Sequence, residues 1–238
     1  MKSIFTFFFV TFFLSAFAQQ NIINDINAEA RSIGAFSGIK VSGGIDVYIS
    51  QSNDYALAVS AAEEKYRHNI KTEIKNGTLV IWYDSENSKW YRGDKKLRAY
   101  ISFKNLESLE GSGACDFKID GTLDVATLAL RLSGASDIDG IVKINDMTMD
   151  LSGASTVKIN GTVQNLKLTS SGASDVKNYD LVVENFIAKI SGASDVKITI
   201  TNSISASASG ASSLYYKGDP EKKDIATSGA SSIAQRNN

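Results

Sequence analysis

The sequence predicts an all-β protein: a β-helix-like solenoid of about seven coils, each of 18 to 21 residues, capped at its N-terminal end by longer strands and hairpins. Three observations predict this fold. A Ser-Gly-Ala motif recurs at nearly constant spacing, apolar and polar residues alternate between its copies, and no long helical periodicity is present. With 43% hydrophobic residues, the chain of 238 residues is also too apolar to be disordered throughout.

The Ser-Gly-Ala motif occurs seven times from residue 112 onward, and its successive glycines are 21, 19, 19, 20, 18 and 19 residues apart. A period near 20 is typical of solenoids, in which each coil buries its apolar face by stacking on the next coil. The motif glycines are Gly113, Gly134, Gly153, Gly172, Gly192, Gly210 and Gly229.

Between these glycines the apolar residues have a period of two. Leu128, Leu130 and Leu132 precede Gly134 by six, four and two residues, and an apolar residue follows every motif glycine by four. This pattern predicts strands with one face inward, at least two in each coil, with the Ser-Gly-Ala corner between them. Asp-Gly or Asn-Gly turns are expected later in the coil. A leucine-rich horseshoe is disfavoured because no Leu-x-x-Leu-x-Leu frame is present.

A hydroxyl ladder is predicted along the corners, because a serine stands two residues after nearly every motif glycine. In the first copy Cys115 takes this place. We interpret it as a small packed residue rather than a reactive thiol. As the only cysteine it has no disulfide partner within the chain.

The chain divides into four predicted parts. A basic start at Lys2, a Phe-rich apolar stretch and the small-residue end Ala16-Phe17-Ala18 indicate a signal peptide. A membrane anchor is disfavoured, since the apolar run is shorter than the roughly 20 residues that span a bilayer. The parts are residues 1–18, the signal peptide; 19–35, a polar tether; 36–110, a strand-rich cap continuous with the solenoid; and 111–238, the Ser-Gly-Ala repeat solenoid.

This leader predicts export across the inner membrane, and it leaves open whether the protein stays in the periplasm or reaches the outer-membrane surface or the exterior. No transmembrane segment is expected after cleavage, because no second long apolar run follows. The formal net charge of −1 provides no positive field for a polyanion, so nucleic acid is not an expected partner.

The segment before the repeats is also rich in predicted strands. Phe36 to Ser50 alternates between apolar and polar residues, with Gly43-Gly44 as a turn, and Asn76-Gly77 between two apolar runs predicts a hairpin. Residues 61–67 are expected to form a short helical turn. Near the other end, the charged stretch 217–224 contains the only proline and is interpreted as protection of the last strand edge.

A family resemblance rests on three of these features. They are Phe36-Ser37-Gly38-Ile39-Lys40-Val41 with Gly44-Ile45-Asp46-Val47-Tyr48-Ile49, the Asn76-Gly77-Thr78-Leu79-Val80-Ile81 hairpin, and the Ser-Gly-Ala-Ser-Asp coils. Over roughly residues 35 to 235 the chain resembles the auto-transporter adhesin, head GIN domain family. The resemblance implies a β-helix-like envelope or secreted protein of Bacteroidetes-type bacteria, and it supplies no catalytic residues.

One aromatic cluster is the candidate binding site. Flat aromatic rings stack on the apolar faces of sugars, and an arginine beside them holds hydroxyl or acidic groups. Cross-strand packing in a long hairpin is the alternative interpretation of the same residues. The cluster consists of Trp82, Tyr83, Trp90, Tyr91 and Arg92.

No cofactor, metal site or catalytic residue is predicted. Asp116, Asp137, Asp175 and Asp195 recur as a ladder that could bind Ca²⁺, but lysines two residues after most of these positions favour ordinary charge balance. The nearly identical coils also lack the inserted loops that usually carry an active site. The sequence therefore predicts a non-enzymatic adhesin or recognition module for a glycan or an envelope protein. Self-association into a homo-oligomer is the main alternative, and a polysaccharide-cleaving enzyme is a weaker one.

Overall fold

A computed structural model describes residues 25–85 and 94–237. In these residues a 16-stranded sheet winds into a β-solenoid of about seven turns of roughly 19 residues, which confirms the predicted fold class. The short elements of the first part are β1 (Glu29–Arg31), β2 (Gly38–Ser42), β3 (Asp46–Gln51), β4 (Ala56–Ser60), α1 (Glu64–Arg67), β5 (Ile70–Lys75), β6 (Thr78–Tyr83), β7 (Arg98–Phe103) and β8 (Ser108–Ser112).

Long strands in parallel register make up the repeat region. They are β9 (Asp116–Leu132), β10 (Asp137–Leu151), β11 (Thr156–Ser170), β12 (Asp175–Ile190) and β13 (Asp195–Ala208), followed by the shorter β14 (Ser213–Lys217), β15 (Lys222–Thr227) and β16 (Ser232–Gln235). Each strand pairs with the equivalent strand of the next coil, so equivalent residues lie about 4.8 Å apart along the solenoid.

Each long strand bends instead of ending at the predicted Asp-Gly and Asn-Gly turns. In β9 the in-and-out alternation is interrupted at Asp120-Gly121-Thr122, where three successive residues are exposed, and again at Ala126-Thr127, where two are. A coil therefore has three sides, represented in β9 by residues 116–120 (side 1), 122–125 (side 2) and 128–132 (side 3). The turn signals mark bends, because the parallel neighbour continues to pair with the backbone on both sides of each bend.

The Ser-Gly-Ala corners stack directly on one another. Gly134 has a φ of +75°, and a Cβ on it would lie 2.4 Å from the carbonyl oxygen of Gly113. Only glycine allows both this backbone conformation and this close approach. The amide of Ala135 donates to the same oxygen at 2.8 Å. Side 1 thus starts at the same place in every coil.

The serine after the corner alanine is buried in the five coils from Ser136 to Ser212 and closes its own corner. Ser155 Oγ donates to the carbonyl oxygen of Ser152 at 3.0 Å, and equivalent bonds occur in the neighbouring corners. Cys115 is buried, and its Sγ lies 3.2 Å from the carbonyl oxygen of Ser112. It fills the position of a corner serine, in agreement with its interpretation as a packed residue.

The N-terminal coils are stacked out of sequence order. Strands β2 and β3 form one coil around the Gly43-Gly44 corner, and this coil lies between β6 and β7 on one side and β8 and β9 on the other. The predicted hairpin is present, since β5 and β6 are antiparallel across Asn76-Gly77. Strand β4 pairs antiparallel with β7 and covers this end.

Part of the segment predicted as a polar tether, residues 19–35, belongs to the sheet. Strand β1 pairs antiparallel with β4, and its approach is fixed by Asp25, which accepts hydrogen bonds from Tyr100 at 2.7 Å and Arg98 at 3.2 Å. Short strands with few apolar residues give little sequence signal, and here the ordering comes from side chains on β7.

The C-terminal end closes with polar residues. Strands β15 and β16 each pair with a single strand within the described residues. Their inward positions include Lys223 and Gln235, whose side chains approach to 3.5 Å, and Lys223 also forms an ion pair with Asp219 at 2.9 Å. An inward-pointing charge hinders strand addition at this end, but β15 and β16 each still have one unpaired edge within the described residues.

Candidate functional site

The predicted aromatic cluster is only partly within the described residues: Trp90, Tyr91 and Arg92 lie outside them. Trp82 is half-buried and points outward from side 3 at the end of β6. Tyr83 packs against the core, with Lys95 Nζ 4.3 Å from its ring centre. The two described aromatics thus have different roles, since Trp82 faces outward on side 3 and Tyr83 supports the cap.

A groove of about 360 Å³ runs along side 3. Its floor is a row of charged residues, each three positions before a corner glycine, and successive members form ion pairs. Lys40 Nζ lies 3.1 Å from Glu110, Arg131 Nη1 lies 3.0 Å from Glu110, and Arg131 Nε lies 3.5 Å from Asp150. Thr169 continues the row in the next coil.

Glu110 is the central anion of this row. Partial burial raises the pKa of Glu110, but hydrogen bonds from Lys40 and Arg131 outweigh that effect and hold the pKa below its ordinary value. The carboxylate is therefore charged throughout the physiological range. Lys40, Arg131 and Asp150 keep about half of their side-chain surface exposed. Their charged groups can therefore contact a ligand without any rearrangement of the surface.

Corner serines, each one position before a corner glycine, form a wall beside the charged floor of the groove. Ser112, Ser133, Ser152 and Ser171 line it. Trp82 belongs to the same row, since it is the register partner of Ser42, which in turn pairs with Ser112. Trp82 lies one coil from the strand of Lys40 and two coils from Ser112, about 10 Å along the solenoid. The arrangement combines fixed charges, hydroxyl groups and one aromatic ring on a single side.

Sequence reasoning did not single out this groove, although a signal was present. Lys40, Glu110, Arg131 and Asp150 all stand three residues before a corner glycine, counting Gly43 as the corner of the first coil. Alternating charges at equivalent repeat positions become a row of ion pairs once the coils are stacked. The spatial order of the coils was needed to bring Lys40 beside Glu110.

Side 1 carries the predicted aspartate ladder and a parallel row of lysines. Asp46, Asp116 and Asp137 are register partners in successive coils. Burial, with repulsion from Asp46 and Asp137, raises the pKa of Asp116 above its ordinary value. Within residues 25–85 and 94–237 no three His, Cys, Asp or Glu side chains are placed to hold a metal ion.

The fold and these surfaces define a class: a parallel β-solenoid repeat protein that presents flat polar sides to its surroundings. The particular family follows from sequence. The model of the family described as "putative auto-transporter adhesin, head GIN domain" matches residues 35–220, and the chain belongs to this family. This membership points to an envelope or extracellular protein. No match was found among curated protein sequences.

Solved structures share the fold. A putative adhesin from Bacteroides fragilis superposes with a TM-score of 0.82 at 24% identity, over 88% of this chain and 96% of its own. A putative lipid binding protein from Parabacteroides distasonis gives 0.69 at 19% identity over 88% and 97%. A putative adhesin from Parabacteroides merdae gives 0.64 at 16% identity over 90% and 97%. None of the helices in the described residues is long and apolar enough to cross a bilayer.

Proposed function

We propose that the protein is an exported, non-enzymatic adhesin that binds a glycan or an envelope protein through side 3. The observation that carries this proposal is the groove, in which Arg131 and its carboxylate partners lie beside a wall of serine hydroxyls. Sugar hydroxyls both donate and accept hydrogen bonds, so a row of alternating cations and anions suits them. Family membership supports adhesion as the general role.

Trp82 extends the proposed surface. A sugar bound in the groove can continue toward β6 and stack there on the exposed part of the indole ring. Trp90, Tyr91 and Arg92 remain predicted members of the same surface. Neither a nucleic acid nor a cofactor is part of this proposal.

A glycan array probed with the chain beginning at Gln19 tests the proposal. We expect retention of specific glycans, and a loss of about tenfold or more when Arg131→Ala or Trp82→Ala removes a contact. Lys143→Ala is the matched control, because Lys143 is an exposed lysine of side 2 that pairs with Asp124 at 2.9 Å. Unchanged retention by the Arg131 and Trp82 variants, with folding intact by circular dichroism, contradicts binding through side 3.

Self-association is the second candidate function, and one observation favours it. Strands β15 and β16 each have one strand partner within the described part of the chain, so backbone groups at this end are available for pairing. Light scattering distinguishes the candidates. A monodisperse monomer that retains a glycan supports recognition, whereas a defined oligomer that retains none supports assembly.

A further inference from the structure

Three lysines stand in one row on the C-terminal half of side 1. Lys158, Lys177 and Lys197 each follow a motif glycine by five residues, and all three are exposed. Lys177 and Lys197 are register partners, and Lys158 occupies the equivalent position on β11. Adjacent members of the row are therefore about 4.8 Å apart at the backbone. Like charges in adjacent strand positions repel, so the row lowers the stability of the isolated fold.

The neighbouring carboxylates neutralise this row only in part. Lys177 forms an ion pair with Asp175 at 2.8 Å. Within residues 25–85 and 94–237, Lys158 and Lys197 form no ion pair. Lys177 is thus paired, and the unpaired ammonium groups of Lys158 and Lys197 lie on either side of it on an exposed face of the sheet.

Two further cations and two tyrosines continue the same surface toward the C-terminus. Tyr215 is the register partner of Lys197, and the Arg236 guanidinium lies 4.2 Å from its ring centre. Lys217 Nζ lies 5.2 Å from the ring centre of Tyr179. From β11 to β16 this surface is about 19 Å long, the height of four coil steps.

The charge of side 1 reverses along the solenoid. On β11 to β13 its rows contain three lysines and two carboxylates, a net charge of +1, whereas on β3, β9 and β10 they contain five carboxylates and one lysine, a net charge of −4. The lysines are Lys158, Lys177 and Lys197, opposed by Asp175 and Asp195; the acidic half contains Asp46, Asp116, Asp120, Asp137 and Asp139, opposed by Lys118. Lys217 and Arg236 add two positive charges beside this half, next to the rings of Tyr179 and Tyr215. An anion is thus attracted to one half and repelled by the other.

We infer that the C-terminal half of side 1 binds a carboxylated linear polysaccharide. Its carboxylates meet the unpaired ammonium groups of Lys158 and Lys197, and its ring faces stack on the tyrosines. Asp175 and Asp195 favour a sugar over a nucleic acid, because carboxylates accept hydrogen bonds from sugar hydroxyls and repel a dense row of phosphates. This surface is separate from the side 3 groove, and it extends the proposed recognition role to an acidic ligand.

Affinity electrophoresis through alginate, with dextran as the neutral matrix, tests the inference. We expect retardation by alginate alone, weakened by roughly 10- to 100-fold between about 0.05 and 0.2 M salt, as a few displaced counterions require. The triple variant Lys158→Gln, Lys177→Gln, Lys197→Gln should lose at least about tenfold in affinity. The matched control is Lys75→Gln, Lys143→Gln, Lys167→Gln, which removes the same number of positive charges from exposed positions outside side 1 and should bind as the parent does.

Four outcomes overturn the inference: no retardation by alginate at low salt, equal loss in both triple variants, equal retardation by dextran, or tighter binding of single-stranded DNA than of alginate. Melting curves establish that each variant is folded. Arg131→Ala distinguishes this inference from the proposed function. It should weaken glycan-array binding through side 3 by about tenfold or more and leave alginate binding unchanged, so either surface can fail without the other.

Discussion

The amide of Ala154 donates a hydrogen bond of 2.7 Å to the carbonyl oxygen of Gly134, one coil earlier. Equivalent bonds join Ala173 to Gly153 and Ala193 to Gly172. Such contact between backbones leaves no room for a side chain on the corner glycine. The corners thereby fix the coil-to-coil register on which the rows of sides 1 and 3 depend.

Replacing a corner glycine should therefore lower the free energy of unfolding by more than backbone strain alone would. Gly153 has a φ of +74°, and a Cβ there would lie 2.3 Å from the Gly134 oxygen. We expect Gly153→Ala to lower the free energy of unfolding by roughly 3 kcal/mol, from left-handed strain of about 1–2 kcal/mol and a weakened hydrogen bond. Urea denaturation measures the loss.

Gly121→Ala is the matched control for this change. Gly121 has a φ of +79°, but an added Cβ would meet nothing within 4 Å. Only the left-handed strain of about 1–2 kcal/mol should remain. Equal losses for the two variants would contradict the close-contact argument.

Gly111 is a second position where only glycine fits, because the Phe117 ring packs against it. Gly111 lies on the inner face of β8, aligned with Leu132, and a Cβ on it would lie 2.4 Å from Cε2 of Phe117. Gly111→Ala should destabilise the protein by about 1–3 kcal/mol through overpacking. Adding Phe117→Leu should recover part of that loss, and a double-mutant cycle measured in urea gives the coupling. Additive losses would exclude the contact.

The corner hydroxyls should tolerate a thiol but not a methyl group. Ser155→Ala leaves the carbonyl oxygen of Ser152 without its 3.0 Å donor, which we expect to cost about 1–2 kcal/mol. Ser155→Cys should cost clearly less, since Cys115 already fills the equivalent position. Thermal melts of both variants decide the point, and similar losses would argue against a role for the hydrogen bond.

The network that anchors β1 should respond to high pH. Burial, followed by the hydrogen bond to Asp25, raises the pKa of Tyr100 to about 12. Because this pKa lies above the ordinary value of 10.0, the folded state favours the neutral form of Tyr100. The resulting stabilisation of the folded state is fully present below pH 10 and is lost as pH rises toward 12. Asp25→Asn should lower the pKa of Tyr100, as measured by ultraviolet titration with Tyr100→Phe as the reference. An unchanged titration would contradict the coupling.

The aspartate row should limit stability at neutral pH. The pKa of Asp116 is raised, first by burial and then by Asp46 and Asp137, so its ionisation opposes folding as pH rises through that pKa. Asp116→Asn should therefore stabilise the protein at pH 7, by roughly 0.5 kcal/mol for relief of repulsion between neighbouring strands. Asp120→Asn on the same strand is the control. A gain that persists at pH 3 would argue against a charge effect.

The solenoid and the position of every corner could be predicted from sequence, because the glycine period and the alternation around it are local signals. The three-sided coil could not: the bend at Gly121 resembles a turn that ends a strand, and only pairing with the next coil shows that the strand continues. The place of the β2–β3 coil depends on pairing with β6 and β8, which no local pattern encodes.

Single residues of the candidate site could be predicted from sequence, but their arrangement could not. Trp82 was predicted as a member of an aromatic cluster, but its place in the serine row required the register of β6 against Ser42. The groove is made of residues from different coils, each ordinary in its own segment. Stacking creates the alternation of Lys40, Glu110, Arg131 and Asp150. The site therefore depends on which coils are neighbours in the stack.

That order constrains how the chain reaches its native state. The β2–β3 coil is the first to leave the ribosome, yet one of its two neighbours includes β7, which ends at Phe103, and the other includes β8 and β9. Because β3 ends at Gln51, β6 at Tyr83 and β7 at Phe103, β2 gains its first neighbour after about 30 further residues and β3 after about 50. Folding cannot begin at the amino end and travel along the stack, and the regular repeats are better placed to nucleate it.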